Sequence, residues 1–384
     1  MSKRWPGKYV IGLTGNIATG KSVVRKMLEH VGALGLDADA LGHQALARGG
    51  PAYTPVSKLF GEWVLTPAGE INRARLARLV FADPEALAAL ESIVHPVVAK
   101  GLDFLIARSR ATVVVVEAIK LIEAGWHKDC DALWVVTATE GVQVTRLVEK
   151  RRMSVSEAKQ RLAAQSSQTD KIKAGTFIVD NSGSFDDTWA QVQGGFSRLR
   201  LAHPVAETTQ VVAPPRKSGE SAVRVRRGKP TDAAAIADFI KVATTGRRAL
   251  SRTDVMAAFG DKAYFLADSD GRLAAILGWK IENLVTRADE LYLSTGAPWE
   301  RLAPPLIDML ENASKELQCE VALLFVPQTL AKTTAPVLGN IGYTLQAPDK
   351  LAVPAWKEAA AESMPPDTSM FFKKLREDRV LRPV

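Results

Sequence analysis

The stretch GLTGNIATGKSVV, Gly12 to Val24, follows directly on the apolar run Tyr9, Val10 and Ile11, which reads as a buried strand. Within it, Gly15 to Ser22 spells G-N-I-A-T-G-K-S and fits G-x-x-x-x-G-K-[ST] between a predicted strand and a predicted helix. In that setting consecutive backbone N–H groups from Asn16 to Ser22 wrap a phosphate chain at a helix amino terminus, where the helix dipole also favours anions. Gly15, Asn16, Ile17, Ala18, Thr19, Gly20, Lys21, Ser22 and Val23 are therefore the expected contacts to a nucleoside triphosphate, ATP by default. Lys21 is placed to reach the β- and γ-phosphates, and the Ser22 hydroxyl to ligate Mg2+. A glycine-rich turn without a ligand would not explain a lysine followed by a hydroxyl.

Working outward, the chain alternates short β-branched runs with helical spacing from residue 8 to about 201. The runs are Tyr9 to Leu13, Leu34 to Leu36, Thr112 to Val116, Leu133 to Val136 and Phe177 to Val179. Strands separated by helices imply an α/β fold, a parallel sheet with crossover helices. LGLDADALGHQAL ends its apolar run at Asp37 and Asp39, just past the second strand and so at the same sheet edge as the phosphate loop. One carboxylate there suits proton acceptance from an attacking hydroxyl. A helix cap or magnesium support suits the pair equally well.

Length and composition bound the rest. At 384 residues, 47% hydrophobic and 24% charged, the chain is long enough for two packed cores. The formal charge of +8 is spread among 42 acidic residues rather than collected in one block, so small anions are at least as good a partner class as nucleic acid. Cys130 and Cys319 stand far apart, outside any metal-binding or disulfide pattern. No run approaches the roughly 18 apolar residues of a membrane helix, and the expected location is the cytoplasm. The stretch 203–222, HPVAETTQVVAPPRKSGESA, has no periodicity that would bury a face and reads as a linker between domains at 1–202 and 223–384.

After the linker, VRVRRGKPTDAAAIADFIKVA reads as strand, turn and capped helix, and the Asp270-Gly271 pair between apolar runs as a hairpin. LAPPLIDMLENASKEL reads as a helix and Val321 to Val326 as a strand, giving an α+β domain with an antiparallel sheet. The short basic RVRRGK, Arg224 to Lys229, reads as a solvated strand edge.

The order of GLTGNIATGKS, DAD at Asp37 to Asp39, GEINRARL from Gly69, LESIVHP from Leu90, RLAAQ from Arg161 and DNSGS from Asp180 resembles the dephospho-coenzyme A kinases. The resemblance covers about residues 8 to 200. It implies a P-loop kinase fold and transfer of the ATP γ-phosphoryl group to the ribose 3′-hydroxyl of dephospho-coenzyme A, the last step of coenzyme A synthesis. By position it implies Asp39 as general base toward that hydroxyl and Arg146 as the lid arginine over the γ-phosphate; the family's second lid arginine falls on Lys150 or, with a one-residue shift, on Arg151, and which of Lys150, Arg151 and Arg152 acts in the lid stays open. The resemblance puts Asn72, Arg73 and His95 in the helical region that covers the acceptor. Arg73 suits an anionic group of the substrate, as does Asp37 at the sheet edge a polar one; His95, ahead of a proline, has the competing reading of a bond within its own helix. Where relatives carry more glycine, this loop has Asn16 and Ala18, and where they carry a proline after the third strand it has Ile119, Lys120 and Leu121. The alternatives are another P-loop small-molecule kinase, or a nucleotide-binding regulatory protein without turnover.

Residues 223 to 345 resemble a GNAT-type acyltransferase in VRRGKPTDAAAIADFI and PVLGNIGYTL. STGAPWERLAPPL offers Gly296 and then three prolines where that family has its phosphate-binding turn, and proline lacks the N–H groups such a turn uses. The expectation is a degenerate binding, regulatory or scaffolding domain rather than an active acyltransferase; pairing a coenzyme A producer with a fold that binds acyl-coenzyme A in its family suggests coenzyme A or an acyl-coenzyme A as ligand and product sensing as one such role.

Overall fold

A computed structural model describes residues 3–202, 223–282, 284–317 and 319–376; the expected linker at 203–222 lies outside the described residues. Contacts divide the chain into two compact units, the first holding 1–39, 109–209 and 253–261, the second 40–108, 210–252 and 262–384.

The first unit is built on five parallel strands, β1 (Tyr9–Thr14), β2 (Leu34–Asp37), β3 (Val113–Glu117), β4 (Ala132–Thr137) and β5 (Phe177–Asp180), in the order β2-β3-β1-β4-β5. All five sequence runs are strands. Parallel strands covered on both faces read as unbroken apolar runs, and every residue of β3, VVVVE, is buried. The helices are α1 (Lys21–His30), α2 (Ala38–Leu46), α3 (Tyr53–Phe60), α4 (Arg73–Ala82), α5 (Pro84–Arg108), α6 (Glu140–Arg151), α7 (Val155–Ala163), α8 (Gln168–Ala174) and α9 (Phe185–Ala202); α3, α4, α5 and α2 after Asp39 belong to the second unit. Ile11, Leu13, Val24, Met27, Leu28, Trp134 and Phe196 form the core over which α1 and α9 pack. With β1 central, its carboxyl end opens between β3 and β4, and the phosphate loop stands there.

The second unit carries β6 (Val223–Arg227), β7 (Ala263–Ser269), β8 (Arg272–Glu282), β9 (Val285–Leu293), β10 (Val321–Pro327), β11 (Thr344–Leu345) and β12 (Thr368–Lys374), in the order β11-β12-β10-β9-β8-β7-β6. Helices α10 (Ala233–Ala243), α11 (Arg252–Ala258), α12 (Trp299–Glu316), α13 (Gln328–Asn340) and α14 (Pro354–Ser363) complete the chain, α11 lying largely in the first unit. The sheet departs from the expected antiparallel one: β9 and β10 run parallel because α12 returns the chain across the sheet between them. The Asp270-Gly271 hairpin is as expected, with φ of 56° and 75° at its two turn residues. Arg226 pairs with Asp232 at 2.8 Å, in keeping with a strand-edge role for the basic run. Pro304 and Pro305 lie inside α12, beyond its first turn, and Pro298 at its N-cap, so the first-turn N–H groups of Trp299 and Glu300 are kept, contrary to the expectation drawn from the three prolines.

Candidate active site

Gly15 to Ser22 turns from β1 into α1. Gly20 caps the helix with φ 93° and ψ 28°, a left-handed conformation open to glycine, and a Cβ there would run into the Asn181 amide. Ala18 also takes a left-handed φ, 59°, which costs a non-glycine residue about 1 kcal/mol. The loop is held in that shape from outside. The Gln165 side chain accepts from Ile17 N–H at 2.7 Å, Asn16 Nδ2 donates to Ser166 O at 3.2 Å, and Gln143 Nε2 to Ile17 O at 3.1 Å. Asn181 Nδ2 donates to Thr19 O at 2.8 Å and is itself oriented by Thr188 at 2.9 Å. Gln165 and Asn181 are the last residue of RLAAQ and the second of DNSGS, so these two landmarks are buttresses of the loop. Because Gln165 takes the Ile17 N–H and Asn16 O the Thr19 N–H, the N–H groups in position for phosphate are those of the α1 start rather than the whole run from Asn16.

Lys21, 7% exposed, bonds back to Asn16 O at 3.2 Å. Burial pushes its pKa below the ordinary lysine value, and the attraction of Glu117, Asp39 and Asp37 does not make up the difference. Ser22 Oγ donates to Glu117 Oε1 at 2.7 Å, and Arg25 Nε to Glu117 Oε2 at 2.6 Å. Glu117 ends β3 beside β1 and opposite Asp37 in the β2 register. Arg25, one turn past Ser22 on the same helix face, also pairs with Glu29 at 2.6 Å and stands 4.0 Å from Asp37. Burial opposes its charge, but Glu29 and Glu117 outweigh it and raise the pKa. Sequence reading assigned no role to Glu117 or Arg25; a carboxylate closing a fully buried β-branched run was the available signal.

Asp39 lies exposed in the first turn of α2, and its Oδ2 accepts from Ile119 N–H at 3.2 Å. Arg146 points inward from α6 and donates to Ala18 O and Thr19 O, both at 3.2 Å, and to Asn181 O at 2.8 Å, so it braces the loop's carbonyls. Burial lowers its pKa, though not enough to discharge a guanidinium. Lys150, Arg151, Arg152 and Arg161 are exposed. Val23 follows the loop on α1, partly buried against the core. Arg73, exposed, opens α4 after the Asn72 cap, and His95 is partly buried within α5; both belong to the second unit. Among the described residues no cluster of three or more His, Cys, Asp or Glu stands ready for a metal, and no helix is long and apolar enough to cross a membrane. Both cysteines are free thiols, and burial pushes Cys130 up to about 12.

A second group of buried charges lies in the second unit. Lys262, 9% exposed, is 3.0 Å from Asp289 and 3.2 Å from Glu290, and Arg248 reaches Glu290 at 2.8 Å. Gly278 leaves room for it, since a Cβ there would come within 3.0 Å of the Glu290 side chain. Burial opposes the Lys262 charge, but here the two carboxylates prevail and its pKa is raised.

Residues 9–187 match the family model described as CoaE, dephospho-CoA kinase. A dephospho-CoA kinase of Moorella thermoacetica is 37% identical over 196 residues, which are 50% of this chain and 92% of the relative. The chain belongs to the dephospho-CoA kinase family. A dephospho-CoA kinase of Geobacter metallireducens is 42% identical over 186 residues, 48% of this chain and 92% of the relative. A structure of yncA, a putative acetyltransferase from Salmonella typhimurium solved with acetyl-CoA, is similar to 41% of this chain and 96% of its own, with 13% identity and a TM-score of 0.32.

Proposed function

We propose that this dephospho-CoA kinase family member transfers the γ-phosphoryl group of ATP to the ribose 3′-hydroxyl of dephospho-CoA, releasing ADP and CoA, in the cytoplasm. The observation that carries the reading is the opposition of Asp39 and Lys21 across the carboxyl edge of one parallel sheet, with Glu117 and Ser22 between them on the strand and helix that flank the loop.

In this reading the N–H groups at the α1 start hold the phosphate chain, the loop from Gly15 shapes the turn around it, and Lys21 follows the γ-phosphoryl group as charge moves onto the leaving oxygen. Asp39 accepts the proton of the 3′-hydroxyl as its oxygen attacks phosphorus. Arg146 keeps the loop carbonyls turned away from the phosphates and adds positive charge beside them. The Ser22 hydroxyl and the Glu117 carboxylate are hard oxygen donors of the kind Mg2+ takes, and they would hold it there. When bound, such an ion would supply neutralisation of phosphate charge. Asp37, Arg73 and His95 are the residues assigned to the acceptor. Arg73 is an exposed cation suited to its pyrophosphate.

For the rest of the chain we propose a kinase domain at 1–202, a linker at 203–222 and a second domain at 223–384 that binds CoA or an acyl-CoA. Pairing of β9 with β10 runs from Val285 and Val321 to Ala288 and Leu324, while the strands continue to Leu293 and Pro327. The gap lined by Ala288, Leu291, Leu324, Val326 and Trp299 where that pairing ends is a buried core void of about 10 Å³, room for about one water, and is not itself a ligand pocket. Equilibrium dialysis of the full chain against CoA should find two sites; a single site, lost with competing dephospho-CoA, would remove the second-domain assignment. The kinase reading is tested by an acceptor screen with Mg-ATP: ADP release should rise with dephospho-CoA and not with nucleosides or nucleotides. A preference for a nucleoside would transfer the chain to another acceptor class.

A further inference from the structure

The peptide groups around Ile119 form a junction between Asp39 and a buried lysine. Ile119 N–H donates to Asp39 Oδ2 at 3.2 Å. Ile119 O accepts from Thr14 Oγ1 at 3.1 Å and from Lys171 Nζ at 3.0 Å. Lys171, 4% exposed, stands on α8 a few residues past the Gln165-Ser166 pair that grips the phosphate loop. Its ammonium is 3.4 Å from Glu123, which also accepts from Ser166 Oγ at 2.7 Å. Burial works against the Glu123 charge, yet the Ser166 hydroxyl and the Lys171 cation outweigh it and hold the carboxyl below its ordinary range. A charged donor spent on a main-chain carbonyl in the interior is expensive unless that carbonyl must be held. It belongs to the turn in which Ile119, Lys120 and Leu121 replace the family's proline-bearing sequence, a turn that has no proline ring to stiffen it.

We propose that Lys171 is a positioning residue for Asp39, acting through the Ile119 turn and tying the aim of the base to closure of the Gln165-Ser166 segment on the phosphate loop. The proposal rests on the reading of Asp39 as the base. Lys171 touches neither substrate: it fixes the Ile119 carbonyl, the turn presents its N–H to the carboxylate, and that hydrogen bond both aims Asp39 and favours its charged form. Loss of the lysine lets the turn relax, and a misplacement near 1 Å costs up to about 100-fold in rate.

The test uses the full chain with Mg-ATP and dephospho-CoA. Lys171→Met should lower kcat by about 10- to 100-fold with KM for ATP unchanged, and should move the acid limb of the kcat profile to higher pH. Lys171→Arg, which keeps a charged donor, should recover most of the rate and the wild-type limb. Thr14→Val removes only the other donor to the same carbonyl and should give a smaller loss of the same kind, which keeps the test decisive if Lys171→Met fails to fold. A variant with wild-type kcat and limb, or one with raised KM for ATP and intact kcat, overturns the positioning role and leaves the kinase reading standing. A wild-type protein that does not phosphorylate dephospho-CoA overturns both.

Discussion

Lys21 and Lys262 are buried to nearly the same degree, 7% and 9% exposed, yet their surroundings push the two ammonium groups in opposite directions. Lys262 sits among carboxylates at 3.0 and 3.2 Å and keeps its proton more firmly than a lysine in water. Lys21 has a backbone carbonyl at 3.2 Å, and Glu117 has its two oxygens committed to Ser22 and Arg25. Burying charge is common to both. What separates a site from a strut is whether the charge is already answered, and the unanswered one is at the amino end of a helix, where an anion is further stabilised.

The comparison breaks most sharply under substitution. Lys21→Ala should lower kcat/KM by about 1000-fold or more, since it removes a cation from the transferred group, and initial rates with dephospho-CoA check it. Lys262→Met should leave that rate in place and lower the unfolding free energy by roughly 3 kcal/mol, because Glu290 and Asp289 lose a buried partner; chemical denaturation reads this. Glu117→Gln should do some of each. Rate should fall about 100-fold through the loss of the Ser22 and Arg25 contacts, with a destabilisation of roughly 2 kcal/mol. The smallest effect has the opposite sign: Lys21→Met should raise the unfolding free energy of the ligand-free protein by about 0.5 kcal/mol, a functional group being strained where it stands. A fall instead would mean that Lys21 is answered in the resting protein.

The pH dependence sharpens the same contrast. Lys262, raised above its unfolded value, contributes stability that is complete below the unfolded lysine pKa and is lost as pH rises through the folded one. Lys21, lowered, opposes folding while protonated, and its cost fades as pH rises through its depressed pKa. In kcat/KM for ATP, which reports the free enzyme, the alkaline limb should therefore lie below the ordinary lysine range. A limb at or above that range would contradict the assignment of Lys21 as a desolvated cation.

Much of this was legible in the sequence because its signals are local. A loop pattern between a β-branched run and a helix places Lys21, Ser22 and the sheet edge together, and all five runs of the first sheet are strands. Asp37 and Asp39 end up at that edge because parallel strands point the same way. Glu117, Arg25, Gln143 and Lys171 were not legible as site residues, since their roles arise from contacts across 52 to 126 positions, or from a single turn of helix face, rather than from spacing in a motif. Ala18 stands where relatives carry glycine and takes a left-handed backbone, held there by the contacts of Gln165, Gln143, Arg146 and Asn181 to the loop. The parallel pairing of β9 and β10 was missed because a β-branched run does not state its direction.

The most direct measurement is the identity of the product. The full chain should be incubated with Mg-ATP and dephospho-CoA and the ribose phosphate located by phosphorus-proton correlation NMR, with Asp39→Asn alongside. The account predicts a new monoester at the 3′-oxygen, one ADP per product, and a rate at least about 100-fold lower for Asp39→Asn. Phosphate at another oxygen, or full activity without the Asp39 carboxylate, would contradict it.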